Sequence, residues 1–253
     1  MGILFKAKTN EGFMFKILGE ILHNTLKTIP ISINSQGITS KIIDSNKKIL
    51  LDIELIAKNF ITFTYNHQVD NILFGLNVSH FYKIISSIKK KDSLTFEIDS
   101  ENMNELKIII TPREKDHVEV STIFIQNIQS IDIEMPTDYK HPVHVSSSKF
   151  QKMCKDMLNI GKEINIYGNE NFVVFECETP GIYKKQITFG EETEVYENVI
   201  SYVLESEQLV KISKISSLFH KLFVFLEKDM PLLIRTQVGN IGSISIYIKD
   251  SSS

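Results

Sequence analysis

The sequence predicts an α+β protein made of two similar domains, each with antiparallel sheet packed against two helices. Three observations point there. Short apolar or alternating runs have strand length, four segments have helical spacing, and the order of elements occurs twice along the chain. A length of 253 residues suits two domains of ordinary size.

Taken in order, residues 5–8 read as a strand that leads into a helix over residues 12–28. There Phe15, Leu18, Leu22 and Leu26 fall on one face. Residues 31–38 alternate and end in a polar turn, as a strand does. A second helix is predicted over residues 77–91, with Phe81, Ile84, Ile85 and Ile88 as its stripe, and strands follow at 94–98 and 106–110. Residues 126–139, with Ile128, Ile131, Ile133 and Met135, read as an extended connector. The plan then restarts with a strand at 143–145, a helix at 148–159 and an alternating segment at 164–172. A fourth helix is predicted at 209–222 and a last strand at 243–248. This gives a first domain over residues 1–125, the connector over 126–139 and a second domain over 140–253.

Composition narrows the class. Hydrophobic residues make up 42% and charged residues 23%, and no apolar run reaches the roughly 18–20 residues that span a bilayer, so no membrane partner is expected. The N-terminus lacks the apolar core of a secretory signal. Cys154 and Cys177 form no disulfide framework, which points to a reducing, intracellular compartment.

The net charge is −3, but its distribution is uneven. The four helical segments hold 12 lysines against Glu20 and Asp156, while the rest of the chain carries 16 Lys+Arg against 29 Asp+Glu. Such segregation predicts helices that face a polyanion. Lys16, Lys83, Lys152, Lys155, Lys214 and Lys221 lie beside or opposite the apolar stripes, and with His23 they form the predicted DNA-facing set. Lysine meets phosphates as a flexible point charge, so the contact should be sequence-independent and weakened by salt.

Catalytic chemistry is not indicated. There is no Walker-type glycine loop, and His141 with His144 lacks the Cys or carboxylate companions of a metal site. Cys154 and Cys177 sit in apolar patterns, and Asp132 and Glu134 form no acid–base constellation. The chain is expected to be no enzyme and to need no metal or cofactor.

The residues also resemble the proliferating cell nuclear antigen family over essentially the whole chain. The match is carried by residues 37–45 with their Asp44-Ser45 turn, by 74–78 followed by Lys83-Ile84, and by 150–161 with its terminating glycine. Met230-Pro231-Leu232 and residues 242–247 complete it. The resemblance implies a DNA sliding clamp, a homotrimer closed into a ring around double-stranded DNA with helices lining the hole. It implies subunit contacts through sheet edges near residues 117–125 and 181–189, carrying Glu119, Ser121 and Ile123 on one side and Lys184, Lys185 and Ile187 on the other. It also implies a pocket for partner peptides of the PIP-box type formed by Ile43, Lys47, Leu50, Ile133, Met135, Pro231, Leu232 and Tyr247. The partners so implied are a DNA polymerase, other PIP-box-type proteins and a clamp loader. The implied location is the nucleus, or a cytoplasmic replication site for a virus. Lys47 and Lys48 stand where the family's loop is less charged, which suggests partners with more acidic flanks. Ser121-Thr122 replaces an aromatic position of the family, so a subunit of a heterotrimeric clamp is the competing reading, with Phe124 as another route to closure. A clamp-fold transcription factor of a large DNA virus stays open on composition alone.

Overall fold

The structure, a computed structural model, describes residues 2–66, 70–114, 116–129, 133–191 and 199–251. The chain divides into two compact units. The first comprises Met1–Ile42, Asp52–Ile133 and Gln237–Ile244; the second comprises Ile43–Leu51, Glu134–Thr236 and Ser245–Ser253. Both units are discontinuous along the chain, and the cut between Ile133 and Glu134 lies within the connector expected at residues 126–139. The other cuts, at 42–43, 51–52, 236–237 and 244–245, fall inside strands.

In the first half of the chain, β1 (Ile3–Thr9) leads to α1 (Gly12–Thr25), then β2 (Thr28–Asn34), β3 (Gly37–Ile43), β4 (Ile49–Ile56), β5 (Thr62–Tyr65) and β6 (Ile72–Asn77). Helix α2 (Val78–Ile85) follows, and β7 (Ser93–Asp99), β8 (Glu105–Thr111) and β9 (Glu119–Phe124) complete it. In the second half the order is β10 (Val143–Ser146), α3 (Ser147–Leu158), β11 (Glu163–Gly168), β12 (Phe172–Thr179), β13 (Tyr183–Gly190) and β14 (Ile200–Glu205). Helix α4 (Ser206–Ile212), a 3-10 helix over Ser213–Ser217, and β15 (Lys221–Phe225), β16 (Leu232–Val238) and β17 (Gly242–Ile248) close the chain.

The two halves share one strand plan. The order β1-β7-β8-β9 is matched by β10-β15-β16-β17, and β6-β2-β3-β4 by β14-β11-β12-β13. Strand β5, which pairs with β1, is the addition in the first unit. The hairpin after the first helix of each unit is closed by the same device. The Asn34 carboxamide accepts the Gln36 N–H at 2.8 Å, and that of Asn169 accepts the Asn171 N–H at 2.9 Å.

Alternation puts Phe5, Leu94, Phe96, Ile98 and Ile108 into the first unit's core beneath α1 and α2, where Phe15, Leu18, Leu22, Phe81 and Ile85 meet them. Gly19 permits the close approach of the helices, since a Cβ there would come 2.6 Å from Ile85 Cδ1. In the second unit Phe150, Met153 and Met157 of α3 pack with Phe172, Phe175, Leu209 and Ile212, all fully or almost fully buried. Cys154 and Cys177 belong to this core as well. Burial pushes the Cys154 thiol up to about 12, which suits packing rather than attack.

Three helices end earlier than spacing predicts. Helix α1 stops at Thr25, and Leu26 is already extended. Helix α2 stops at Ile85, where the Ser86 hydroxyl donates to the Lys83 carbonyl at 2.8 Å and Ser87 turns toward that of Ile84. The fourth helix begins at Ser206, held by a capping box in which Glu205 and Gln208 exchange side-chain and backbone bonds. It gives way to the 3-10 helix at Ser213, whose hydroxyl bonds the Val210 carbonyl at 2.8 Å.

Candidate functional site

The cationic surface predicted from the helices is smaller than the sequence count implies. The α-helices carry Lys16, Lys83, Lys149, Lys152, Lys155 and Lys211 against Glu20, Asp156 and Glu207. Lys27, Lys89, Lys90 and Lys91 lie in the segments that follow α1 and α2. Lys83, Lys152, Lys155 and His23 are exposed on helical turns. The His23 ring stacks on Tyr82 with centroids 5.1 Å apart, 3.5 Å from the Ser79 hydroxyl.

Three of the set stand differently. Lys16 folds back, its ammonium donating to the Ile88 carbonyl at 3.3 Å and lying over the Phe13 ring. Lys214 sits half-buried in the 3-10 helix. Lys221 is not helical at all: it opens β15 and pairs with Ser146 of β10. Exposed Lys89, Lys90, Lys91, Lys149 and Lys211 extend the basic surface beyond the predicted residues.

Two sheet edges are the second feature. Strand β9 ends the sheet of the first unit and β13 ends one of the second, each paired on one side only among the described residues. Their surfaces are unusually apolar for edges: Val118, Val120 and Phe124 are exposed at or beside β9, and Ile182 and Tyr183 at the start of β13. Phe124 is 68% exposed and Ile182 84%. The predicted Ile123 points the other way and is 6% exposed in its own core, because alternation gives Phe124 and Ile123 opposite faces. Ser121 and Ile187 are half-buried and Glu119 is exposed, with Ser87 at 3.4 Å and the His117 ring at 3.6 Å.

Lys184 and Lys185 are not free charges awaiting Glu119. Lys184 pairs with Glu176 at 2.8 Å, and Lys185 with Asp156 of α3 at 2.7 Å. Each carboxylate partner raises its lysine above the ordinary range, and Lys185 holds Asp156 below its own.

The third feature is a cleft of about 1010 Å³ in the second unit. Ile43, Lys47, Leu50, Pro231 and Tyr247 line it, as predicted. Leu232, Met135 and Ile133 do not. Leu232 is fully buried in β16, and Met135 packs with Leu50 and Tyr139 against a buried cluster of Phe225, Leu233 and Tyr247. Ile133 is half-buried and falls in the first unit. Ile131 and Asp132 of the connector lie outside the described residues.

The floor and lip of the cleft are held by hydrogen bonds. The Tyr139 hydroxyl donates to the Pro231 carbonyl at 2.6 Å, and its ring meets Phe225 and Tyr247 at 5.9 Å. The Tyr202 hydroxyl donates to the Glu227 carbonyl at 2.9 Å, and burial pushes its pKa up to about 12. One wall is the β3–β4 turn. There Asp44 accepts the N–H groups of Lys48 and Ile49, both at 2.8 Å, and Lys47 adopts a left-handed φ of 56°. The C-terminal segment forms another wall, with Lys249 N–H bonded to the Lys48 carbonyl and Ser251 N–H to that of Val203.

Sequence reasoning missed Ile200, Tyr202, the segment 227–230, Lys249 and Asp250 as lining residues. Only pairing distant in the chain brings these together, and no local pattern signals it. The Asp-Ser turn was the usable local cue for the opposite wall.

Comparison with known proteins agrees with this architecture. Residues 4–135 match the proliferating cell nuclear antigen N-terminal domain and residues 133–251 match its C-terminal domain. The chain belongs to the proliferating cell nuclear antigen family. It is 24% identical to a probable DNA polymerase sliding clamp of Paramecium bursaria Chlorella virus 1, over 97% of this chain and 96% of that protein. It is 19% identical to the proliferating cell nuclear antigen of Chaetomium thermophilum, covering 97% of each. A second proliferating cell nuclear antigen of Plasmodium falciparum is 25% identical, over 89% of this chain and 88% of that one.

Proposed function

We propose that this chain is a DNA sliding clamp: a non-enzymatic homotrimer that encircles duplex DNA and keeps a DNA polymerase and other replication and repair proteins on it. The observation that carries the reading is the correspondence of edges. Strands β4 and β17 are neighbours in one sheet, with Ile56 N–H bonded to the Ile241 carbonyl and Lys249 N–H to that of Lys48. Their counterparts in the repeated plan are β13 and β9, which have no such partner among the described residues. Pairing β9 of one copy with β13 of the next repeats the internal junction and covers Phe124, Val120 and Ile182. Three copies close the ring by family resemblance.

The exposed lysines of α2 and α3 and the segments beside them meet the phosphate backbone without fixing a register. Retention on DNA is then topological, and opening the ring is the task of a separate clamp loader. The cleft of the second unit holds the apolar plug of a partner's PIP-box-type peptide, and its buried aromatic floor suits such a plug. The site of action is that of DNA replication, the nucleus or a cytoplasmic viral replication site, and the family has relatives of both viral and eukaryotic origin.

Light scattering at micromolar concentration tests the assembly. The expected mass is three times the 29.0 kDa chain. A loaded ring should stay on closed circular DNA and leave when that DNA is cut. Replacing Lys83, Lys152 and Lys155 by Ala should flatten the salt dependence of polymerase stimulation by about one counterion for each lysine–phosphate pair removed. A chain that stays monomeric with DNA, loader and polymerase present overturns the proposal.

A further inference from the structure

We propose that the cleft of the second unit selects partner segments whose apolar plug is flanked by acidic residues, read by Lys47, Lys228 and Lys249. The inference rests on the reading of that cleft as a peptide site and adds the chemistry of the peptide.

Four lysines line the cleft: Lys47 and Lys48 on the β3–β4 turn, Lys228 on the loop before β16, and Lys249 on the C-terminal segment. Lys48 is already neutralised. Its ammonium lies 2.7 Å from Glu205, and this contact holds the Glu205 carboxyl below its usual range. Lys47, Lys228 and Lys249 are exposed, and none of the described residues pairs with their ammonium groups.

The carboxylates of the same lining do not offset them evenly. Glu227 is half-buried and accepts the Lys140 N–H at 3.1 Å, while half-buried Asp250 accepts that of Val203 at 3.0 Å. Asp229 is the exposed carboxylate among the described lining residues. A bound segment therefore meets an exposed rim of three cations, Lys47, Lys228 and Lys249, and one anion, Asp229, while the charged Glu227 and Asp250 carboxylates are half-buried and less open to it. Acidic side chains beside the plug are attracted to that rim and basic ones repelled. Because the rim is solvated, the selection should fade with salt.

The test uses fluorescence anisotropy on the full chain with three labelled peptides. They share one aromatic and aliphatic plug and carry Asp/Glu, Ser or Lys/Arg flanks. The acidic peptide is expected to bind about tenfold more tightly than the basic one at low salt, with the gap shrinking several-fold at high salt. The variant Lys47→Asn, Lys228→Gln, Lys249→Gln should close the gap, and Lys47→Glu, Lys228→Glu, Lys249→Glu should invert it. Circular dichroism melts of both variants confirm that they are folded. Equal binding of the three peptides, or an order that charge reversal leaves unchanged, overturns the flank selection and leaves the cleft reading standing. Binding of none of them by the folded, unsubstituted chain overturns both.

Discussion

Replacing Phe124 by Ser should dissociate the proposed trimer while leaving the chain folded. An aromatic side chain presents roughly 150–250 Å². With 68% of Phe124 exposed, about 140 Å² is available for cover by a neighbouring copy. At about 25 cal/mol per Å², full cover contributes about 3.5 kcal/mol, and about 2 kcal/mol survives incomplete cover. Loss of that amount weakens each joint roughly 30-fold. The fold should tolerate the change, because Phe124 lies on the outer face of β9 while Ile123 keeps that strand anchored in its core. Sedimentation velocity across a dilution series measures the joint, and a thermal melt monitors the fold. A dissociation midpoint that does not move while the chain stays folded refutes the assignment of β9 as a joint. The matching change Ile182→Ser probes the opposite edge and should act in the same direction.

Other perturbations address the cleft and the second edge. Tyr139→Phe removes the bond to the Pro231 carbonyl and should cost about 1 kcal/mol, a fall in Tm of about 2–4 °C; an unchanged Tm would show that this bond does not hold the lip. At Lys47 the left-handed φ favours residues without a branched Cβ, so Lys47→Gly should keep or raise Tm and Lys47→Val should lower stability by about 1 kcal/mol. The opposite order would rule out the turn geometry. The Lys185–Asp156 pair ties β13 to α3 and sets a pH window. Asp156 is depressed below its unfolded value of 3.8, so its contribution is present above that pH and is lost as pH falls through the folded value. Lys185 is raised above 10.5, so its contribution is present below that pH and is lost as pH rises through the folded value. Asp156→Asn should therefore be less stable than the unsubstituted chain between about pH 4 and 10, with the difference vanishing in acid; urea titrations across pH read it directly.

Much of the fold was legible because burial leaves a periodic trace. Phe15, Leu18 and Leu22 marked α1, Phe81 and Ile85 marked α2, and the doubled order of elements revealed the repeat. The error at 209–222 has an identifiable cause. Leu209, Ile212, Ile215 and Leu218 are all buried and recur every three residues, a spacing that fits a 3-10 turn better than an extended α-helix. Residues 221–225 then continue with Leu222 and Val224 fully buried, as a strand demands. At the sites the limit was different. The family resemblance implied surface roles for Ile123 and Leu232, whereas β9 and β16 turn both side chains into the core. Lysine counts ignore partners, and the contacts of Lys16, Lys184 and Lys185 exist only once distant segments are brought together.

The two open edges are unlike in sequence, and that has a consequence for orientation. A joint made from β9 on one side and β13 on the other cannot obey a two-fold axis, since neither strand meets a copy of itself. A closed circle built from such joints has a front and a back. If the proposed ring forms, every cleft in it opens in the same sense, and a partner docked at any of them would face the same way along the ring axis.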